Sequence, residues 1–131
     1  MADMPLVAIV DDDKSIRNAT SDLLKAAGLA SAAFEDAESF LRWPTRDGIA
    51  CLVADMRMPG MSGLDLYETL VAAGEVIPTV IMTAHPEERT QARARAAGIH
   101  GYLSKPFTPD EFLECVVAAL AQSRRGPIPR C

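Results

Sequence analysis

Residues 49–63 read IACLVADMRMPGMSG, in which the apolar run Ile49–Ala54 is followed by Asp55 and by a loop rich in methionine, proline and glycine. A short, nearly continuous apolar run is typical of a strand that is buried on both faces of a parallel sheet. A second run of this kind, Thr79–Met82, follows along the chain. We therefore expect these two runs to form the centre of a sheet.

Three further short apolar runs extend this pattern along the chain. They are Leu6–Val10, Leu29–Phe34 and Gly101–Leu103. Segments in which apolar residues recur at helical spacing separate the runs, and the first such segment extends from Lys14 to Ala27. Strands that alternate with helices predict a doubly wound α/β fold, with five parallel strands and helices on both faces.

The helix predicted over Pro86–Ala97 differs from the others because its apolar residues are mostly alanine. We expect this helix to bury little area and to be the most loosely docked of the set. It ends in an Ala-Ala-Gly triplet, and two earlier helical segments end in the same triplet, at Gly28 and Gly74. Each glycine, including Gly98, is predicted to end its helix in the left-handed conformation.

Length and charge exclude several classes of protein. The 131 residues suit a single domain, and the formal charge of −5 argues against direct nucleic-acid binding. No apolar run approaches the roughly 20 residues that span a membrane, and no signal peptide is expected. Three cysteines without Cys-x-x-Cys spacing indicate neither a zinc site nor a disulfide framework. These features predict a cytoplasmic protein that contacts no membrane.

Polar residues follow four of the predicted strands, at the edge of the sheet where ligands of doubly wound folds bind. They are Asp11, Asp12 and Asp13, then Asp55, then Thr83, and finally Lys105. Clustered carboxylates repel one another and need a cation, and a site built only of oxygen ligands suits Mg²⁺. A divalent ion, a lysine, a hydroxyl and a carboxylate nucleophile together indicate a site that accepts a phosphoryl group.

Four motifs in these positions resemble the receiver domain of bacterial two-component response regulators. They are Val10-Asp11-Asp12, Asp55-Met-Arg-Met-Pro59-Gly60-Met-Ser-Gly63, Thr83-Ala84 and Lys105-Pro106-Phe107. The second motif looks most like the receivers of FixJ-type regulators, and the resemblance covers nearly the whole chain. It implies a flavodoxin-like sheet with strand order 2-1-3-4-5.

The resemblance also implies a role for each site residue. Asp55 is the expected phosphoacceptor. Mg²⁺ would be bound by Asp12, by Asp55 and by the backbone carbonyl of Arg57, with Asp11 helping through water. Lys105 would neutralise the phosphoryl group, and Thr83 would hydrogen-bond it. Tyr102 occupies the position of the aromatic residue that, in this family, turns inward when the threonine moves. In this family the bond between the lysine and the following proline is usually cis.

Partners and domain limits follow from the same resemblance. The phosphoryl donor would be a sensor histidine kinase or a histidine phosphotransfer protein. Phosphorylation would change the surface of the fourth helix, fifth strand and fifth helix, which would then control a partner, an output domain or a homodimer. The chain would catalyse only its own phosphorylation and dephosphorylation. Residues 1–121 would form the receiver, and residues 122–131 a tail or linker stub.

Two alternative functions compete with this interpretation. A phosphohydrolase of the haloacid-dehalogenase type would use Asp11 as its nucleophile and Asp13 as its acid and base, but it needs a further acidic pair where this chain has Thr83-Ala84. A degenerate receiver would bind an ion or a protein without accepting phosphate. Single residues also have simpler explanations, since Asp13 is expected to cap the first helix and Thr83 could cap a later one.

Overall fold

A computed structural model describes residues 6–43, 48–85 and 87–124 of the chain, with side chains to residue 122. Strands and helices alternate throughout this part. In chain order they are β1 Leu6–Val10, α1 Lys14–Ala26, β2 Ala30–Phe34, α2 Ala37–Leu41, β3 Ile49–Asp55, α3 Gly63–Ala72, β4 Thr79–Thr83, α4 Glu88–Ala97, β5 Gly101–Ser104 and α5 Pro109–Arg124. The predicted alternation is confirmed. The short helix α2 was not predicted.

The five strands form one parallel sheet in the order β2-β1-β3-β4-β5, which confirms the predicted topology. The central strand is β3, and every residue of β4 beside it is buried. Strands β2 and β5 lie at the two edges and are less buried. Since all five strands run the same way, their carboxyl ends share one edge of the sheet.

Two apolar layers hold this edge in place. On one face α2, α3 and α4 pack against alternate strand residues, with Phe40, Leu66 and Leu70 among the buried side chains. On the other face α1 and α5 contribute Leu24 and Phe112. Burial of each large apolar side chain stabilises the fold by about 1.5–3 kcal/mol. The sheet is therefore a firm support for the loops at its edge.

Most helix ends agree with the sequence prediction. The Asp13 carboxylate caps α1 by accepting a hydrogen bond of 2.8 Å from the Ser15 N–H. The three predicted glycines adopt left-handed conformations, with φ of 80° at Gly28, 82° at Gly74 and 103° at Gly98. Each conformation lets the chain leave its helix towards the next strand.

Helix α4 begins at Glu88, and Pro86, its predicted first residue, lies outside the described residues. Ala94 is its one buried residue, the fewest of the four helices α1 to α4, as its alanine-rich sequence predicts. A polar contact also joins α4 to α3: Nη2 of Arg93 on α4 lies 3.1 Å from Oε1 of Glu68 on α3. The helix is thus positioned by few apolar contacts and several polar ones.

Helix α5 continues to Arg124, so residues 122–124 of the predicted tail are helical. The rest of that tail, residues 125–131, lies outside the described residues, and the domain boundary at residue 121 stays a prediction. Within the described ranges, no helix combines the length and apolar character that crossing a membrane requires.

Candidate functional site

Three carboxylates meet at the carboxyl edge of the sheet. Asp11 follows β1 and is fully buried, Asp55 ends β3 and is 7% exposed, and Asp12 is exposed. One carboxylate oxygen from each residue lies within 4.8 Å of the other two. The parallel sheet therefore brings together the three acidic residues that the sequence analysis singled out. A cluster with only oxygen ligands could hold a hard divalent cation.

Lys105 joins the two buried carboxylates. Its Nζ lies 2.7 Å from Asp55 Oδ1 and 3.1 Å from Asp11 Oδ2. The Lys105 N–H donates to the Thr83 carbonyl oxygen at 2.7 Å, and the bond to Pro106 is cis, as the resemblance implies. Three carboxylates and one ammonium group leave a formal charge of −2. The donor set and this charge fit a divalent ion such as Mg²⁺.

Burial and neighbouring charges perturb two groups of the site. Burial raises the pKa of Asp55, the hydrogen bond from Lys105 opposes that rise, and the charges of Asp11 and Asp12 add to it. Burial alone would lower the pKa of Lys105, but its hydrogen bonds to Asp55 and Asp11 raise that pKa overall. Lys105 therefore stays charged at neutral pH, beside a carboxylate whose ionised form is costly to bury.

A change of Asp55 to Asn should stabilise the protein in solutions without divalent ions. Because the pKa of Asp55 is raised in the folded state, that state binds the proton more tightly, and its stability falls as pH rises from the ordinary pKa of 3.8 through the raised value. At pH 7 we expect Asp55→Asn to unfold with a free energy higher than the parent's by on the order of 1 kcal/mol.

Urea unfolding in EDTA at several pH values measures this effect. The difference between Asp55→Asn and the parent should grow from near zero around pH 3.5 to its full size at neutral pH. Asp22→Asn, at an exposed position on α1, is the control and should show no such growth. A parent protein as stable as Asp55→Asn at pH 7 would contradict the expected cost of the buried charge.

Thr83 and Tyr102 lie on the neighbouring strands β4 and β5. Thr83 is buried, and its Oγ1 accepts a hydrogen bond of 3.1 Å from the His85 N–H. The alternative that Thr83 caps α4 is wrong, because the residue at that cap is Glu87. Tyr102 packs against the layer that contains α4, and its hydroxyl oxygen is buried with no hydrogen-bond partner among the described residues.

Two residues that position the site were missed by the sequence analysis. The Arg17 guanidinium donates to the Asp11 carbonyl oxygen at 2.8 Å and so holds the β1–α1 loop. Gly63, the first residue of α3, lies so close to the Asp55 carbonyl that a Cβ atom there would clash with it. A glycine directly after the helix cap Ser62 was the available signal, whereas an arginine that bonds a carbonyl oxygen leaves no sequence pattern.

Arg57 was predicted to contribute its backbone carbonyl to a metal ion, and this stays a prediction. Its side chain points elsewhere: Nη2 lies 3.7 Å from Glu87 Oε2, directly before α4. Both side chains are mostly exposed. The sequence analysis did not identify Glu87.

Comparisons with known proteins agree with this geometry. The family described as "Response regulator receiver domain" matches residues 7–117. Nodulation protein W of Bradyrhizobium diazoefficiens is 38% identical over 120 residues, which cover 92% of this chain and 53% of that protein. The transcriptional regulatory protein FixJ of the same organism is 32% identical over 117 residues, which cover 89% of this chain and 57% of FixJ.

Solved structures show the same arrangement of strands and helices. The response regulator StyR superposes with a TM-score of 0.87 at 39% identity, over 94% of this chain and 62% of StyR. The crystal structure of FixJ-N superposes with a TM-score of 0.79 at 29% identity, over 99% of this chain and all of that one. The chain spans about half the length of the curated relatives it matches, 53% of nodulation protein W and 56% of the response regulator protein TodT of Pseudomonas putida.

Proposed function

Because the chain belongs to the response regulator receiver domain family, we propose that Asp55 accepts a phosphoryl group and thereby switches the protein between two signalling states. One observation carries the proposal. Lys105 Nζ bridges the buried carboxylates of Asp55 and Asp11 inside a cluster of oxygen ligands. Such a site neutralises the charge of a phosphoryl group beside a carboxylate that can attack it.

The free oxygen of Asp55 distinguishes this residue from Asp11, the other buried carboxylate. Asp11 uses both carboxylate oxygens, since Oδ1 accepts from the Asp13 N–H at 2.9 Å and Oδ2 contacts Lys105. Asp13 Oδ1 caps α1. Asp55 contacts Lys105 through Oδ1, and its Oδ2 has no hydrogen bond within the described ranges. This pattern favours Asp55 as nucleophile over the Asp11 and Asp13 pair of a haloacid-dehalogenase-type phosphohydrolase.

The proposed donor is the phosphohistidine of a sensor histidine kinase or of a histidine phosphotransfer protein. An oxygen of Asp55 attacks the phosphorus atom, an O–P bond forms and the P–N bond breaks. The electron pair of the broken bond returns to that ring nitrogen of the donor, and because the other ring nitrogen carries a proton, the donor leaves as neutral imidazole. The Lys105 ammonium, already beside Asp55, stabilises the negative charge that stays on the phosphoryl oxygens.

Asp11, Asp12, Asp55 and the carbonyl of Arg57 would hold Mg²⁺ in this function. When bound, the ion neutralises carboxylate charge and orients the phosphoryl oxygens for in-line transfer. Thr83, at the end of β4, is the hydroxyl that hydrogen-bonds the phosphoryl group once it is attached. The Thr83 carbonyl oxygen accepts the Lys105 N–H, so a backbone hydrogen bond joins the two residues that would contact the product.

The consequence of phosphorylation is a change in the surface formed by α4, β5 and α5. Phosphate adds nearly two negative charges at the edge of the sheet. Thr83 precedes α4 along the chain and Tyr102 lies on β5. In the cytoplasm this surface would control an output domain, a separate partner or a second copy of the chain. The protein acts as a phosphoacceptor in signalling rather than as an enzyme with a separate substrate.

A labelling experiment tests this function. The protein is incubated with acetyl phosphate and MgCl₂, then reduced with borohydride so that the phosphorylated aspartate can be identified by mass spectrometry. We expect the label on Asp55, and EDTA should lower the labelling rate about 100-fold or more. Label on Asp11, or steady turnover of phosphate esters, would support the phosphohydrolase instead. A protein that takes up no label at all would be a degenerate receiver.

A further inference from the structure

The carboxylate of Glu87 connects the loop after the candidate phosphoacceptor with the start of α4. Glu87 Oε2 lies 3.7 Å from Nη2 of Arg57, which follows Asp55 by two residues. Its other oxygen, Oε1, accepts a hydrogen bond of 3.2 Å from the Thr90 hydroxyl in the first turn of α4. One side chain therefore contacts both the acceptor loop and the helix next to it.

The start of α4 has few other contacts that could position it. Glu87 occupies the N-cap but makes no side-chain hydrogen bond to the helix backbone, and Ala94 is the one buried residue of the helix. An exposed ion pair contributes little to the stability of a whole protein. At a helix end with so few competing contacts, however, the loss of such a pair changes the ratio of two orientations by about two- to fivefold.

The hydroxyl group of Tyr102 provides a second, independent observation. Its oxygen is buried and has no hydrogen-bond partner among the residues described, which is costly for a polar group. Burial raises the pKa of Tyr102, and the negative charge of Glu87 raises it further. Glu87 therefore acts electrostatically on the aromatic residue of β5 as well as on α4.

We propose that Glu87 is a positioning residue that couples phosphorylation of Asp55 to the position of α4. The coupling arises because Arg57 exchanges its contact with Glu87 for a contact with the phosphoryl group. Without phosphate, Arg57 pairs with Glu87. A phosphoryl group on Asp55 adds nearly two negative charges two residues from Arg57 along the chain, and a guanidinium can turn to bind phosphate in a bidentate manner. Glu87 is then released, the first turn of α4 loosens, and the charge beside the Tyr102 hydroxyl moves away. This inference rests on the proposed function.

Hydrogen exchange at the start of α4 tests the coupling. The Gln91 amide reports the first turn directly, because it donates to the Glu87 carbonyl oxygen at 2.9 Å. Phosphorylation by acetyl phosphate and MgCl₂ should speed its exchange about two- to fivefold in the parent, the range expected for loss of an exposed ion pair. Glu87→Gln should show the faster exchange before phosphorylation, since glutamine keeps an acceptor for Thr90 but loses the charge.

Glu88→Gln is the matched control, because it removes a charge from the same helix end. Glu88 is exposed and has no ion pair in the described part of the chain. This variant should exchange as the parent does and should keep its response to phosphorylation. Arg57→Gln should resemble Glu87→Gln, and the double variant should exchange no faster than either single one, since both remove the same contact.

A fluorine label separates the coupling from a general loosening of the helix. In protein that carries 3-fluorotyrosine, the Tyr102 signal should shift in Glu87→Gln towards its position in the phosphorylated parent, while the Tyr67 signal stays in place. Parent-like exchange in unphosphorylated Glu87→Gln, or an equal effect in Glu88→Gln, would overturn the proposal. The mass of a phosphoryl group on Asp55 is measured in the same samples, so failure of the proposed function is distinguished from failure of the coupling.

Discussion

Asp55→Asn protein is expected to take up no phosphoryl group from acetyl phosphate, a loss of at least about 100-fold in labelling. The asparagine side chain has the shape of the original one but offers a neutral amide oxygen, which is a poor nucleophile. The change also removes one of the three carboxylates that would hold Mg²⁺. Lys105 keeps its contact with Asp11 at 3.1 Å, so the site should not collapse.

The measurement is the mass of intact protein after incubation with acetyl phosphate and MgCl₂. Asp22→Asn changes an exposed aspartate of α1 in the same way and should be labelled as fast as the parent. Thermal unfolding of both variants checks that the fold is retained. Labelling of Asp55→Asn at the rate of the parent would mean that another residue is the acceptor.

Gly63→Ala is expected to destabilise the protein by about 2–3 kcal/mol, the upper part of the range for overpacking a tight site. A Cβ atom at Gly63 would clash with the Asp55 carbonyl oxygen, and it would lie 3.2 Å from the Ile81 Cδ1 atom. The Ile81 side chain can adjust, but the carbonyl belongs to the end of β3 and can only move with the backbone. The strain therefore falls on the residue that carries the candidate acceptor.

The destabilisation should lower the melting temperature by about 5–10 °C. Displacement of Asp55 relative to Lys105 should also slow phosphorylation by acetyl phosphate about tenfold or more. Gly48→Ala is the matched control, since a Cβ atom there would have no neighbour within 4 Å among the described residues, and we expect its stability to lie within about 0.5 kcal/mol of the parent's. Equal melting temperatures for the two variants would show that the contact at Gly63 can relax without cost.

The strands could be predicted from the sequence to within one residue at each end, and the reason is burial. Strands β3 and β4 are mostly apolar up to Asp55 and Thr83 at their ends, because both faces of these strands lie in the core. Helix α2 was missed because its five residues are too few to show helical spacing, although Phe40 is fully buried. Short elements depend on what packs against them, and a local pattern does not contain that information.

The candidate site, like the fold, could be predicted from the sequence only in part. The residue types at the strand ends were visible in the sequence, and the structure brings Asp11, Asp12, Asp55 and Lys105 together as expected. The role of Arg17 was not visible, because a guanidinium that bonds a carbonyl oxygen leaves no pattern in the sequence. Gly63 ends the motif that follows Asp55, but its role of leaving space for the Asp55 carbonyl became clear only from the structure.

The sequence by itself determined the class of fold, the edge of the sheet where the polar residues gather, and the family to which the chain belongs. It could do so because apolar spacing sets the secondary structure and because parallel strands end at a common edge. Only the tertiary structure decided which oxygen of which aspartate is free, and that Glu87 faces Arg57. These features depend on distances of a few ångströms between residues far apart in the chain, which packing fixes and local sequence does not encode.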